Sequence, residues 1–348
     1  MRAVVIGCGI GGATAGLALA EIGIHVEVYE ATSRSAEHTG WITLGPAAMT
    51  GLDQVGVAND VAAVGFPVLS ALGVDTRTGD TTGIPRREPG HRWPSTHVYR
   101  RDLLRILRDR LEATGVRGHY GNPPTAADLY GDLIVGADGA RSATRRSVGN
   151  LTEPAYTGQV IRYGHHPHPV PDLPTNVFHA WRHLHGVVGY VADSRDGSFW
   201  FSRHDSDSPT DVVDQHIALT PLRATPVHTV LNSSWVSRPI ALYAVAPEGT
   251  WHRDHTIIIG DAAHAMSPAT GRGATSTIED AIILAKHIRE HAFHIPEALE
   301  SFTTHRRPIA HAAYRHTPGQ PPKAATADEL ELRGHGAARA ATADNEAR

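Results

Sequence analysis

The chain has 348 residues, 41% of them hydrophobic, with 32 Lys and Arg against 36 Asp and Glu and a formal net charge of -4. That length and apolar content suffice for one large domain or two closely joined ones, and the charge balance leaves no basic footprint for nucleic acid, so small molecules are the expected partners. The single cysteine, Cys8, excludes an internal disulfide and a cysteine-built metal cage and points to a cytoplasmic location, while no apolar run approaches the ~20 residues that span a bilayer.

In chain order, RAVVI at 2–6 is a β-branched run that predicts a buried parallel strand. It passes at once into the glycine-rich GCGIGG, unlike a secretory leader. ATAGLALAEIG, small and apolar, predicts a helix packed close to a sheet, and HVEVYE at 25–30 predicts a second strand. Residues 101–114 place Leu103, Leu104, Leu107 and Leu111 on one helical face with charges opposite. DLIVGA at 132–137 predicts another buried strand. Between about 155 and 246 the texture changes to alternating, aromatic-bearing runs such as VVGYVA and SFWFS, which predict an antiparallel sheet. HisHisProHis at 165–168 reads as a polar connector, and no metal site is expected, since no acid or cysteine joins it at ligand spacing. TIIIGDAAH at 256–264 returns to the first texture, and 274–291 predicts a helix. After Pro318 large apolar residues become scarce, so 319–348 reads as a weakly ordered tail.

The first and last thirds therefore build one nucleotide-binding unit, 1–150 with 247–318, and 151–246 forms an inserted sheet domain for substrate, joined by part of the region near 66–98. Gly7, Gly9 and Gly12 make G-x-G-x-x-G after a strand and before a helix, with Gly11 between the last two. The first glycine permits the tight turn, the second lets a pyrophosphate approach the backbone, and the third lets helix and strand pack closely. Helix N–H groups then face the phosphates. Glu30, at the end of the second strand, can accept from a ribose diol, and its charge disfavours a 2′-phosphate. Asp261 at a strand end could accept from a ribityl chain. The glycines of GRGAT would let backbone N–H groups approach a ligand whose reduced form is negative.

With these residues in view, the chain resembles the single-component FAD-dependent aromatic-ring monooxygenases, the para-hydroxybenzoate hydroxylase-like flavoproteins. GADGARSATR at 136–145 is similar to their Asp-Gly motif, with Asp138 in place. GDAAHAMSPATGRGATSTIEDA at 260–281 is similar to their second FAD motif, with Asp261, Pro268, Gly271, Gly273 and Ala274 at family positions. Arg100 in YRRDL resembles the FAD-contacting arginine before a helix, and 40–57 resembles the segment after the ribose-binding acid. The likeness covers about residues 2–310. Only GNPPTAADLYG precedes the Asp-Gly strand, where family members carry a longer hairpin, and the C-terminal segment is reduced.

The resemblance implies an α/β fold: a Rossmann-like FAD-binding domain with an inserted, mostly antiparallel β-sheet substrate domain. It implies FAD as cofactor and NADPH or NADH as transient co-substrate. It also implies O2-dependent hydroxylation or epoxidation of an aromatic or polyketide-like molecule through a flavin C4a-hydroperoxide, by a monomer or homodimer. No catalytic base is assigned. Arg162, His179, Arg182, Tyr190, Trp200 and Arg203 are candidates for substrate contact, and alternation puts Trp200 and Ser202 on one sheet face, Phe201 and Arg203 on the other, without saying which meets the flavin. A dehydrogenase or desaturase of the same fold, or a non-catalytic flavin-binding protein, would keep every motif. A flavin-dependent halogenase would show a G-W-x-W-x-I-P signature, which the chain lacks.

Overall fold

The β-branched N-terminal run forms the strand Arg2–Ile6 at the centre of a six-stranded sheet. A computed structural model describes residues 1–35, 40–85, 91–121, 129–171, 173–209, 228 and 235–315, so the tail expected at 319–348 and most of the short hairpin segment lie outside the described residues. The spatial order is His252–Arg253, Thr256–Ile258, Leu133–Gly136, Arg2–Ile6, His25–Glu30, Arg117–Tyr120. Every pairing is parallel except the edge hairpin of the first two strands. Strands from both ends of the chain thus share one sheet, as the sequence textures require. Val4, Val5, Leu133, Val135 and Ile257 are fully buried, as befits strands covered on both faces.

Helix Ile10–Glu21 connects the first two strands and packs between helices Arg100–Ala113 and Gly273–Glu290. It begins at Ile10, so Gly11 and Gly12 lie within its first turn rather than in a preceding loop. The leucine stripe of Arg100–Ala113 is buried as its spacing predicts. Among the described residues, three further helices of seven residues or more carry no assignment in the sequence reading: Pro46–Gln54, Ala58–Val64 and Ile295–Tyr314.

The inserted sheet has its strands in the order Trp235–Val236, Ala155–His166, Gly197–Asp205, Gly186–Asp193, Val177–His183, Ser70–Asp75, Thr81–Pro85, with Ile240–Ala244 also paired to Ala155–His166. Tight hairpins join Val177–His183, Gly186–Asp193 and Gly197–Asp205, which makes their pairings antiparallel. The pairing of Ser70–Asp75 with Val177–His183 is parallel, because that strand arrives from a distant part of the chain.

A third sheet, Trp41–Leu44, Ser95–Tyr99 and Phe66–Val68, forms a layer between these two bodies. Alternation explains how it serves both. Ile42, Leu44 and Val98 join the core of the nucleotide-binding body. Trp41, Phe66, Val68 and Tyr99 pack instead on Val191 and Phe199 of the inserted sheet. Among the described residues no helix is long and apolar enough to cross a membrane.

Candidate functional site

The three motifs meet at the C-terminal edge of the parallel sheet, where open α/β sheets bind ligands. Gly7 has φ +96°, and a Cβ there would lie 2.3 Å from the Ala137 carbonyl oxygen, so the first glycine loop rests on the Asp-Gly segment. A Cβ on Gly12 would lie 1.8 Å from the Gly7 carbonyl oxygen, which fixes the close helix–strand packing. Gly260, at φ +58°, would place a Cβ 1.8 Å from Thr277 Oγ1, and the same hydroxyl is 3.0 Å from a Cβ built on Gly11. Thr277 therefore seats the last motif against the first. The buried Arg145 guanidinium donates to Ala262 O at 2.9 Å and Ala140 O at 2.7 Å, tying the second motif to the third. Gly9 differs from its neighbours: a Cβ there would meet nothing within 4 Å, so its side faces open space.

Helices Ile10–Glu21 and Gly273–Glu290 both start without a side-chain cap or a first-turn acid. Their N-terminal N–H groups and positive dipole ends suit an anion. Glu30 is half-buried and accepts from Cys8 N at 2.8 Å and Thr32 N at 2.9 Å. Burial pushes its carboxyl up, but these hydrogen bonds and the nearby Arg108 hold it below the usual carboxylate range. It is thus an ionised acceptor beside the glycine loop, as a ribose diol needs. Arg108 itself is buried and donates to Cys8 O through Nε and Nη2, bracing that loop from below. These features fit a dinucleotide.

Of the other site residues, Asp138 has both oxygens engaged by Ser142 Oγ, Ala143 N, Thr144 N and Thr144 Oγ1. Its carboxylate shapes the turn that abuts Gly7. Asp261, Pro268 and Gly271 are exposed along the rim, followed by the half-buried Gly273 and Ala274. Arg100 is exposed at the start of its helix, its backbone N donating to Gly40 O at 3.1 Å.

Behind the Gly260–Asp261 turn lies a charge network that sequence reasoning did not assemble. Asp280, fully buried, accepts from Gly260 N at 2.8 Å, His264 Nε2 at 2.6 Å and Arg306 Nε at 2.8 Å. Burial raises the Asp280 carboxyl, but the His264 and Arg306 charges and the Gly260 N–H hold it down at about 2. Burial lowers His264, yet Asp280 overcomes that and leaves it raised. Arg306 comes from the unassigned helix Ile295–Tyr314, where Ile295, Leu299 and Phe302 face the core. Their helical spacing was a readable signal.

The face of the inserted sheet that meets the nucleotide-binding body is also settled. Phe199 lies 5.4 Å from Trp41, 5.0 Å from Tyr99 and 4.9 Å from His97, centroid to centroid. By register, Tyr163, Phe201, Arg203 and Arg182 share that face. Tyr163 stands against Gly40, where a Cβ would be 3.3 Å from its ring, and 5.0 Å from Trp41. Phe201 lies across Gly189, where a Cβ would be 2.3 Å from its ring. Arg162, His179, Tyr190 and Trp200 point to the opposite face, with Tyr190 and Trp200 in a separate aromatic core. Four of the six substrate candidates thus face away from the cofactor side, leaving Arg182 and Arg203.

The sequence model of a family described as FAD binding domain matches residues 121–317. An aurachin C monooxygenase/isomerase from Stigmatella aurantiaca is 26% identical over 331 residues, covering 87% of this chain and 84% of that protein. An FAD-dependent urate hydroxylase from Mycolicibacterium vanbaalenii is 26% identical, covering 88% of this chain and 84% of its own length. Among solved structures, Klebsiella pneumoniae HpxO complexed with FAD and uric acid superposes with a TM-score of 0.77 at 22% identity, covering 91% of this chain and 87% of that one. P. aeruginosa PqsL in complex with 2-aminobenzoylacetate gives 0.76 at 18%, covering 91% and 94%. These two show the shared two-body architecture. With the family match spanning more than half the chain and the three motifs meeting at one sheet edge, this protein belongs to the FAD binding domain family.

Proposed function

We propose that the chain is an FAD-dependent monooxygenase that uses NAD(P)H and O2 to hydroxylate or epoxidise an aromatic or polyketide-like small molecule. The observation that carries this reading is the placement of the inserted sheet. Its Tyr163–Phe201–Arg203 face adjoins the Gly40–Trp41 segment that follows the ribose-binding strand, so the surface beside the cofactor cleft is a substrate wall rather than a second nucleotide fold. The named relatives are monooxygenases or hydroxylases, which supports the same reaction class.

Bound FAD would supply the redox chemistry, accepting hydride from NAD(P)H and passing one oxygen atom of O2 to the substrate. The residues do the rest. Gly7, Gly9, Gly11 and Gly12 with the helix N-terminus hold the pyrophosphate, Glu30 the ribose diol, and Asp261 the ribityl hydroxyls. Pro268, Gly271, Gly273 and Ala274 present backbone to the ring system, whose negative charge on reduction the Gly273–Glu290 helix start stabilises by about 0.3–2 kcal/mol. Arg100 borders the same cleft, and Asp138 acts through the turn it shapes. Trp41, Tyr163 and Phe201 line the substrate side with aromatic surface, which excludes water from the reacting centre. With a single cysteine, Cys8, free and buried within the glycine loop, the chain suits a reducing compartment such as the cytoplasm.

The test is NAD(P)H oxidation under 18O2 across phenols, indoles and polyketide-like aromatics. The expected product is heavier by one 18O atom. Substrate desaturated without oxygen incorporation would replace this reading with a dehydrogenase, and peroxide release from unchanged substrate would indicate a flavoprotein without productive chemistry.

A further inference from the structure

The last two helices meet at a group of imidazoles that the cofactor site does not use. Helices Gly273–Glu290 and Ile295–Tyr314 pack on each other across the short connection 291–294. At the solvent edge of that seam His287 Nε2 lies 3.2 Å from His305 Nδ1, one ring from each helix. Two neutral imidazoles can share one proton at that separation. It also matches a single metal ion, because nitrogens bound tetrahedrally at about 2.0–2.1 Å stand about 3.3–3.4 Å from each other. His287 is half-buried with Phe302 edge-on to it at 6.3 Å, and its other nitrogen, Nδ1, lies 3.0 Å from Ser301 Oγ. An acceptor on the far nitrogen fixes the tautomer that aims a lone pair at a metal. His305 is exposed, so its ring can turn toward a shared ion.

Burial, helped by His305, keeps His287 below the usual histidine value although Glu290 opposes this. The ring is therefore neutral at neutral pH, which is the form that binds a metal. His291, one turn along, is tied back through Nδ1 to the His287 carbonyl at 2.9 Å, and no group of three or more His, Cys, Asp and Glu among the described residues is arranged for a metal. We propose that His287 and His305 together bind a divalent ion of the zinc and nickel class, water filling its remaining positions, and that the ion staples the last helix to its neighbour. Imidazole nitrogen suits these ions, whereas magnesium and calcium prefer oxygen. The staple acts beyond the surface, because the next residue of that helix, Arg306, neutralises Asp280 behind the Gly260–Asp261 turn.

The experiment titrates Zn2+ and Ni2+ into the untagged, FAD-loaded full chain in a non-chelating buffer, with Mg2+ as the control, and reads the heat of binding and the melting temperature. Zn2+ should raise the melting temperature by a few degrees, reversibly with EDTA, and Mg2+ should not. His305→Gln, at an exposed position, should remove that rise while leaving the metal-free melt and FAD content as they were. Ser301→Ala keeps both ligands and should weaken Zn2+ binding about tenfold or more, the usual worth of a group that orients a metal-binding imidazole. It guards against a folding defect in His287→Gln, which should otherwise behave like His305→Gln. An unchanged or lowered wild-type melting temperature, or a rise that survives in His305→Gln, overturns the proposal. So does a loss seen in His291→Gln but not in His305→Gln, since the ion would then sit on one helix as a His287–His291 pair. A loss in both upholds the staple, with His291 turning in as a further ligand.

Discussion

At the scale of single residues, the glycine loop allows its structural and ligand-facing roles to be separated. Gly9 has φ -73° and open space where a Cβ would go, so alanine fits the apoprotein without strain. Gly9→Ala should leave apoprotein stability within about 0.5 kcal/mol of wild type yet sharply weaken FAD binding, if the pyrophosphate approaches the backbone there as proposed. Gly12→Ala should do both, since its Cβ would lie 1.8 Å from a backbone oxygen that cannot swing aside. Overpacking of that kind costs about 1–3 kcal/mol or more. Thermal melts of apoprotein and flavin titration of each variant decide it; equal FAD affinity in Gly9→Ala and wild type would refute the close approach. Asp261→Ala should weaken FAD binding by roughly 10- to 150-fold through loss of a charge-assisted hydrogen bond, measured by equilibrium dialysis. An unchanged affinity would make Asp261 a turn residue. Gly7 and Gly12 were legible in the sequence because a backbone that must turn tightly or pack directly on another backbone tolerates only glycine. Asp138 was half legible: the motif marks its place, but only the coordinates show that its carboxylate is spent on the following turn.

At the scale of elements, the last helix is the least expected and among the most consequential. Its Arg306 neutralises a fully buried carboxylate that also holds the Gly260 N–H. Arg306→Leu should cost about 3–5 kcal/mol, the usual penalty for stranding a buried charge, seen as a lower urea midpoint. The paired groups also set a pH signature. Asp280 is depressed from 3.8 to about 2, so its contribution is present above 3.8 and lost as pH falls through about 2. His264 is raised above 6.5, so its contribution is full below 6.5 and fades as pH rises through the higher folded-state value. The stability advantage of wild type over His264→Gln should therefore peak between about pH 3.8 and 6.5. An advantage that grows above pH 7 would contradict the charged pair. The helix escaped the sequence reading because Pro308 and interspersed His and Arg interrupt an otherwise apolar stripe. The leucine stripe of Arg100–Ala113 carries no such interruption and was plain.

At the scale of the whole molecule, the two-body plan was readable from the change of texture and the return of the first texture near 256, but the orientation of the inserted sheet was not. Alternation fixes which residues share a face, not which face is inward; Phe199 packing on Trp41 and Tyr99 decides that. With one G-x-G-x-x-G fingerprint in the sequence and, on the proposed reading, Glu30 at its ribose, NAD(P)H should leave FAD content unchanged at saturation and approach only transiently. Anaerobic stopped-flow should show flavin reduction accelerated by substrate; equal, rapid reduction without it would indicate an ungated enzyme. The interleaving of distant strands has a further consequence during synthesis. The sheet edge proposed to hold the cofactor needs Arg2–Ile6 and Thr256–Ile258 together, and Asp280 gains Arg306 only from the last helix. On the ribosome, translation at about 5–20 residues per second leaves the first glycine loop without its counterpart for roughly 12 seconds or more. A nascent chain stalled before residue 306 emerges leaves the Asp280 carboxylate behind the Gly260–Asp261 turn with His264 but without Arg306, so cofactor capture should be a late event in synthesis.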